Sequence, residues 1–166
     1  MELSSKRSKE GMKMGLVVEA YKKLTKVNQP IRYDDGCLVD SDNLIEVDQA
    51  TLDYTEQYFK GRTQGLYAGV YSFEDYFDFR AGEYSDYKRF RKELEKMVSD
   101  SQLFELLMFS YCEGFIGSTV SKKLAKDFQE LEQQAKEQLD DTDLETYLNF
   151  KKVFELASED GCVEFC

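Results

Sequence analysis

A single α+β domain, predominantly helical, with a small N-terminal β hairpin or meander and a short C-terminal strand, is what the amino-acid pattern predicts. Three observations lead there. The second half carries apolar stripes at helical spacing, and residues 31–47 alternate β-friendly triplets with turn residues. Gly161 then interrupts the last helical run just before Cys-Val-Glu-Phe. A chain of 166 residues, 42% of them hydrophobic, is long enough to bury one substantial core.

Residues 1–15, MELSSKRSKEGMKMG, read as a flexible basic leader, and residues 16–166 as one globular domain. Pro30 separates the MGLVVEAYKKLTKV stretch from IRYDDGCLVDSDNLIEVD, where Ile-Arg-Tyr, Cys-Leu-Val and Leu-Ile-Glu-Val are divided by Asp-Asp-Gly and Ser-Asp-Asn. That is the expected hairpin or meander. TLDYTEQYFKGR, residues 51–62, is a short helix-like run, and Gly61, Gly65 and Gly69 place a loop around YAGVYSF.

From residue 84 the signal is helical. Ser85 is the expected N-cap of a helix whose buried stripe is Tyr87, Phe90, Leu94, Met97 and Val98, with Arg89–Glu93 and Arg91–Glu95 as surface pairs. DSQLFELLMFSYC is apolar nearly all round, which predicts a buried central helix. Ser121 is the expected cap of a helix with Leu124, Phe128, Leu131, Ala135 and Leu139 on one face. Thr142 and Glu145 form a candidate capping box for a last helix that buries Tyr147, Phe150, Phe154 and Ala157.

Three blocks, in order, carry a resemblance to a family of small bacterial and phage proteins. FRAGEYSDYKRFRKEL resembles its F-x-A-G-S-Y-S-G-Y-N-x-W-R-x-x-L, and FSYCEGFIGSTVSKKLAKDF resembles its F-S-D-C-E-G-x-I-G-P-x-x-S-x-K-L-A-K-D-F. VFELASEDGCVEFC is similar to its closing A-F-E-L-A-A-x-x-G-x-V-x-F-H. Glu83, Asp86, Phe90, Tyr111, Ser118 and Cys166 depart from the pattern at its Ser, Gly, Trp, Asp, Pro and His. Arg80, Gly82, Tyr84, Tyr87, Arg91, Glu113, Gly114, Gly117, Lys123 and Asp127 stay in register. The resemblance implies no particular reaction.

Composition narrows the chemistry. No histidine is present, which removes the commonest general base and metal ligand together, and with them Ser-His-Asp, Cys-His and His-metal sites. No phosphate-binding glycine motif appears, and DSDNLIEVD lacks the glycine and glutamate of a calcium loop. Cys37, Cys112, Cys162 and Cys166 read as thiols of a reducing compartment, so no metal or other cofactor is expected. No run of about 18 apolar residues is present, and no secretory pattern opens the chain, so a cytoplasmic location without membrane contact is expected.

Lys and Arg number 22 against 33 Asp and Glu, for a net charge of −11. Such a body repels nucleic-acid backbones and attracts basic surfaces. The reading that fits is a non-enzymatic acidic binding protein, an inhibitor or regulator engaging a basic protein surface through Glu74, Asp75 and Asp78 in the aromatic stretch YSFEDYFDF. The alternative is a small-ligand or nucleotide-signal binder in which Arg80, Arg91, Tyr84 and Tyr87 supply cation and stacking contacts and Glu113 reads a polar edge. A carboxylate- or magnesium-dependent enzyme using Glu113 and Asp127 is the further alternative, set against both carboxylates being satisfied at a buried corner.

Overall fold

The computed structural model describes residues 15–58, 60–111 and 114–166. The leader up to residue 14, together with Phe59, Cys112 and Glu113, lies outside the described residues. In chain order the first half runs β1 (Leu16–Lys22), β2 (Thr25–Lys26), β3 (Leu44–Val47), α1 (Gln49–Tyr58), β4 (Gly69–Ser72) and β5 (Asp75–Gly82). The second half runs α2 (Tyr84–Glu95), α3 (Phe104–Leu107), β6 (Gly114–Gly117), α4 (Ser118–Gln138), α5 (Asp141–Ala157) and β7 (Cys162–Phe165).

The strands form an antiparallel four-stranded sheet ordered β5–β1–β7–β6 and an antiparallel three-stranded sheet ordered β2–β4–β3. Strand β1, LVVEAYK, explains the arrangement. Its side chains alternate between faces. Leu16, Val18 and Ala20 point into a core shared with Ile116, Val163, Phe165 and the apolar stripes of α2, α4 and α5. Tyr21, on the opposite face, joins Phe115 and Cys162 in a second core with Ile45, Val47, Leu52 and Leu66. The larger sheet is therefore buried on both faces over part of its area, with helices on one side and the smaller sheet with α1 on the other.

The helical stripes land as expected: Tyr87, Phe90, Leu94, Leu124, Phe128, Tyr147, Phe150, Phe154 and Ala157 are all buried. The caps differ. Helix α2 begins one residue before Ser85, because Glu83 and Asp86 form a reciprocal capping box. Helix α4 starts at Ser118 behind Gly117, which leaves Ser121 inside the helix and buried. Asp140 caps α5 by accepting from the Asp143 N–H at 2.8 Å, in place of the Thr142–Glu145 box.

Two larger differences separate structure from expectation. The apolar run at 103–109 holds only the four-residue α3; Leu103, Leu106 and Phe109 are buried while Phe104 and Met108 are exposed. The stretch at 31–47 contributes one strand, β3, which pairs with β4 rather than with the preceding triplet. Residues 31–39 fold back on themselves around Asp34–Asp35–Gly36 with a single bridge between Arg32 and Leu38. At the far end Gly161 is required by space: a Cβ there would sit 1.8 Å from the Tyr21 carbonyl oxygen.

Candidate functional site

The residues singled out from the sequence that the structure describes separate into four places. Tyr87 and Arg91 lie one turn apart on α2 and act together. The Tyr87 hydroxyl donates to the Phe109 carbonyl at 2.7 Å, and the Arg91 guanidinium sits 4.8 Å from the Tyr87 ring centroid. Arg91 donates to the carbonyls of Leu107 and Ser110 at 3.0 and 3.3 Å. Its cation thus satisfies the chain that leaves α3, instead of pairing with Glu95. Tyr84 is exposed and packs edge-on against Tyr111, with ring centroids 5.3 Å apart.

Asp127 lies on α4 at the margin of its apolar stripe and is nearly buried. It accepts the Leu103 N–H at 2.9 Å and pairs with Lys123 at 2.7 Å. Lys123 also pairs with Glu105 at 2.9 Å and donates to the Ser101 carbonyl. Asp127 thereby anchors the turn before α3. Glu113, the other carboxylate singled out, lies outside the described residues.

Arg80 lines a cleft. This cleft, about 280 Å³, lies between the end of β5 and the first turns of α2 and α5. Arg89, Asp86, Phe90, Thr142 and Asp143 complete most of its wall. Arg89 grips the nearly buried Asp143 through two hydrogen bonds of 2.9 and 3.0 Å, a planar fork-to-fork pair. The i,i+4 spacing pairs Arg89 with Glu93, and nothing local to α2 points to Asp143. Thr142 and Thr146, one turn apart on α5, were the signal that one helix face at this corner is polar.

Glu74, Asp75 and Asp78 are all exposed, on the turn and the outer strand of the larger sheet. Glu74 reaches Lys23 at 3.4 Å and Lys22 at 3.9 Å. Asp75 accepts the N–H of Tyr76 at 2.8 Å. Asp78 stands directly opposite Glu19, which stands directly opposite Glu164. Cross-strand partners point to the same face, so three carboxylates cross the sheet in one row. Glu19, the most buried of them, accepts from the Tyr21 hydroxyl at 3.0 Å and the Tyr76 hydroxyl at 3.4 Å. Among the described residues, Glu19, Glu164 and Cys166 are the acidic and thiol groups close enough to share a metal ion, with ligand atoms within 4.8 Å of one another. The rings of this stretch pack inward: Phe77 and Phe79 against the main core, Phe73 and Tyr76 against the second.

The described thiols differ sharply. Cys162 is fully buried, and burial pushes its pKa well above that of an ordinary thiol, whereas Cys37 and Cys166 are exposed. Brief alkylation of the native protein at neutral pH is expected to modify Cys37 and Cys166 and to spare Cys162 until urea is added. Peptide mass spectrometry checks this; prompt Cys162 labelling without denaturant would contradict the buried environment.

No family model, curated protein or solved structure matches this chain. No helix among the described residues is long and apolar enough to cross a membrane.

Proposed function

We propose that this chain is a non-catalytic acidic binding protein, an inhibitor or regulator that engages a basic surface on another protein. The observation that supports this reading is the row Asp78–Glu19–Glu164 across three adjacent strands. Like charges directly opposite one another in a sheet raise its energy, by a few tenths to about 1 kcal/mol per pair. A cationic surface brought against the outer end of the row lowers that repulsion, so binding energy is available where Asp78 faces solvent. The net charge of −11 steers such a partner in from a distance.

The test is a pull-down from the native host with the wild-type protein and an Asp75→Lys/Asp78→Lys variant, read by quantitative mass spectrometry. A stoichiometric basic protein is expected on the wild type. It should be lost from the variant and weakened when salt rises from about 0.1 to about 1 M, as the screening length shrinks from about 10 to about 3 Å. Absence of any such protein, or binding that ignores both charge reversal and salt, would overturn the reading.

The cleft lined by Arg80 supports a second reading, a small anionic ligand held by Arg80 with Thr142 and Thr146. Under it, Arg80→Ala abolishes a ligand-induced rise in melting temperature that Arg91→Ala does not single out.

A further inference from the structure

The loop from Ile31 to Val39 inverts the usual pattern of a strand pair. Its backbone turns at Asp34–Asp35–Gly36, with the Gly36 N–H donating to the Tyr33 carbonyl at 2.9 Å and Gly36 at φ +89°. The Tyr33 N–H donates to the Cys37 carbonyl at 2.8 Å and the Val39 N–H to the Ile31 carbonyl at 3.0 Å. This is a three-residue connection closed by a left-handed glycine, a geometry that sets register. Arg32 and Leu38 bridge on one face. Alternation therefore places Ile31, Tyr33, Cys37 and Val39 together on the other.

The face with the apolar side chains is the solvent face. Ile31 is 73% exposed, Tyr33 59% and Val39 42%. A slip of one residue would turn this set inward, but the register is held several times over. Arg32 donates to the Gly36 carbonyl at 2.9 Å and pairs with Glu46 on β3, and Asp35 accepts the Cys37 N–H at 2.9 Å. Those last hydrogen bonds hold the Asp35 carboxyl below the usual carboxylate range. The loop is thus preorganised to display its apolar side, which reduces the ordering cost of binding. Four exposed carboxylates, Asp34, Asp35, Asp40 and Asp42, belong to its turn and to the residues that follow it.

We infer that the Ile31–Val39 loop is a docking finger whose apolar face inserts into a hydrophobic slot rimmed by Lys and Arg on a partner protein. The inference rests on the acidic-binding reading above and adds to it where the partner is touched and what shape it has. Charge selects this occupant over the others: a second copy would bring four more carboxylates against these four, and an anionic lipid surface would repel them. Apolar anchors in a charged rim also match the anatomy of protein interfaces, where a few central side chains carry most of the energy.

The experiment places p-benzoylphenylalanine at Tyr33, uses the full chain as bait in host lysate, and sequences the crosslinked peptide. It then compares binding of the crosslinked protein to wild type, Ile31→Asp and Asp75→Lys/Asp78→Lys. Ile31 is too exposed for its replacement to threaten folding, which an unchanged melting temperature verifies. The expected result is a crosslink beside an apolar slot flanked by Lys or Arg, and a loss of affinity of about tenfold or more for Ile31→Asp. A basic partner that binds Ile31→Asp as tightly as wild type overturns the finger and leaves the acidic-binding reading standing. No basic partner for the wild type overturns both. Self-association that Ile31→Asp breaks in sedimentation velocity, or binding of the wild type to phosphatidylglycerol vesicles, overturns the inference by naming a different occupant.

Discussion

Phe150→Ala is expected to lower the unfolding free energy by about 3–5 kcal/mol, the range for truncating a large aromatic in a packed core. Phe150 is fully buried on α5, and six aromatic rings surround it. Phe79 meets it edge-on at 4.9 Å, and Phe90 and Phe154 lie nearly parallel at 5.7 and 6.2 Å. Phe128, Phe165 and Tyr87 complete the shell at 6.4, 6.4 and 6.1 Å. These rings come from β5, α2, α4, α5 and β7, so the cavity left by alanine would border the stripes of α2, α4 and α5 and two strands. Collapse around it would require several elements to move together, which keeps the cost high. Against a typical total of about 5–15 kcal/mol, much of the stability goes. Urea denaturation at constant slope measures it, with Phe150→Leu as the milder control. A loss below about 1.5 kcal/mol for the alanine variant would mean that Phe150 is not the hub of this core.

That hub was visible in the sequence because Tyr147, Phe150, Phe154 and Ala157 recur at the helical period, and burial of such a stripe depends on local spacing alone. The segment 99–110 was not legible in the same way. Its apolar run suggests a helix, yet Leu103 adopts φ +55° and α3 closes after four residues. The causes are remote: Asp127 holds the Leu103 N–H, Arg91 takes the carbonyls of Leu107 and Ser110, and Tyr87 takes that of Phe109. Side chains far along the chain outweigh the local preference, and no window of sequence contains them. Arg62 illustrates the same limit. At the end of the helix-like run 51–62 it carries no local sign of burial, yet it is wholly buried, donates to the Glu105 carbonyl at 3.2 Å and lies 4.3 Å from the Phe109 ring centroid.

The candidate site was legible in part for a related reason. The exposed acids of YSFEDYFDF follow from composition and alternation within one strand. The carboxylate row does not, because it depends on β1 lying between β5 and β7, segments that both follow it in the chain by more than fifty residues. The finger shows the mixed case: Asp-Asp-Gly announces its turn, but which face of the loop turns outward is set by the Arg32 ion pair to Glu46, which local pattern does not reveal.

Asp127→Ala is expected to destabilise the protein by about 3 kcal/mol, the low end for breaking an ion pair whose carboxylate is buried, its ammonium being partly exposed. The carboxylate serves two neighbours at once. Its loss strands the N–H of Leu103, a residue already in the left-handed region that side chains other than glycine rarely adopt. It also takes one of two anions from Lys123, which keeps Glu105, and this is why the low end applies. Asp127→Asn should recover part of the loss, since an amide oxygen can still accept from Leu103 while the charge is gone. Hydrogen exchange supplies the local readout: amides of residues 103–109 should lose protection far more than those of α5. The pH dependence has a definite sign. Burial opposes the Lys123 charge, but hydrogen bonds from its ammonium to Asp127 and Glu105 outweigh it and raise its pKa above the ordinary lysine value. That stabilisation is fully present below about pH 10 and is lost as pH rises through the elevated native value. The wild type should therefore destabilise in alkali more steeply than Asp127→Asn. Equal alkaline profiles for the two, or an Asp127→Ala variant as stable as wild type with residues 103–109 still protected, would show that this carboxylate is not what holds the turn.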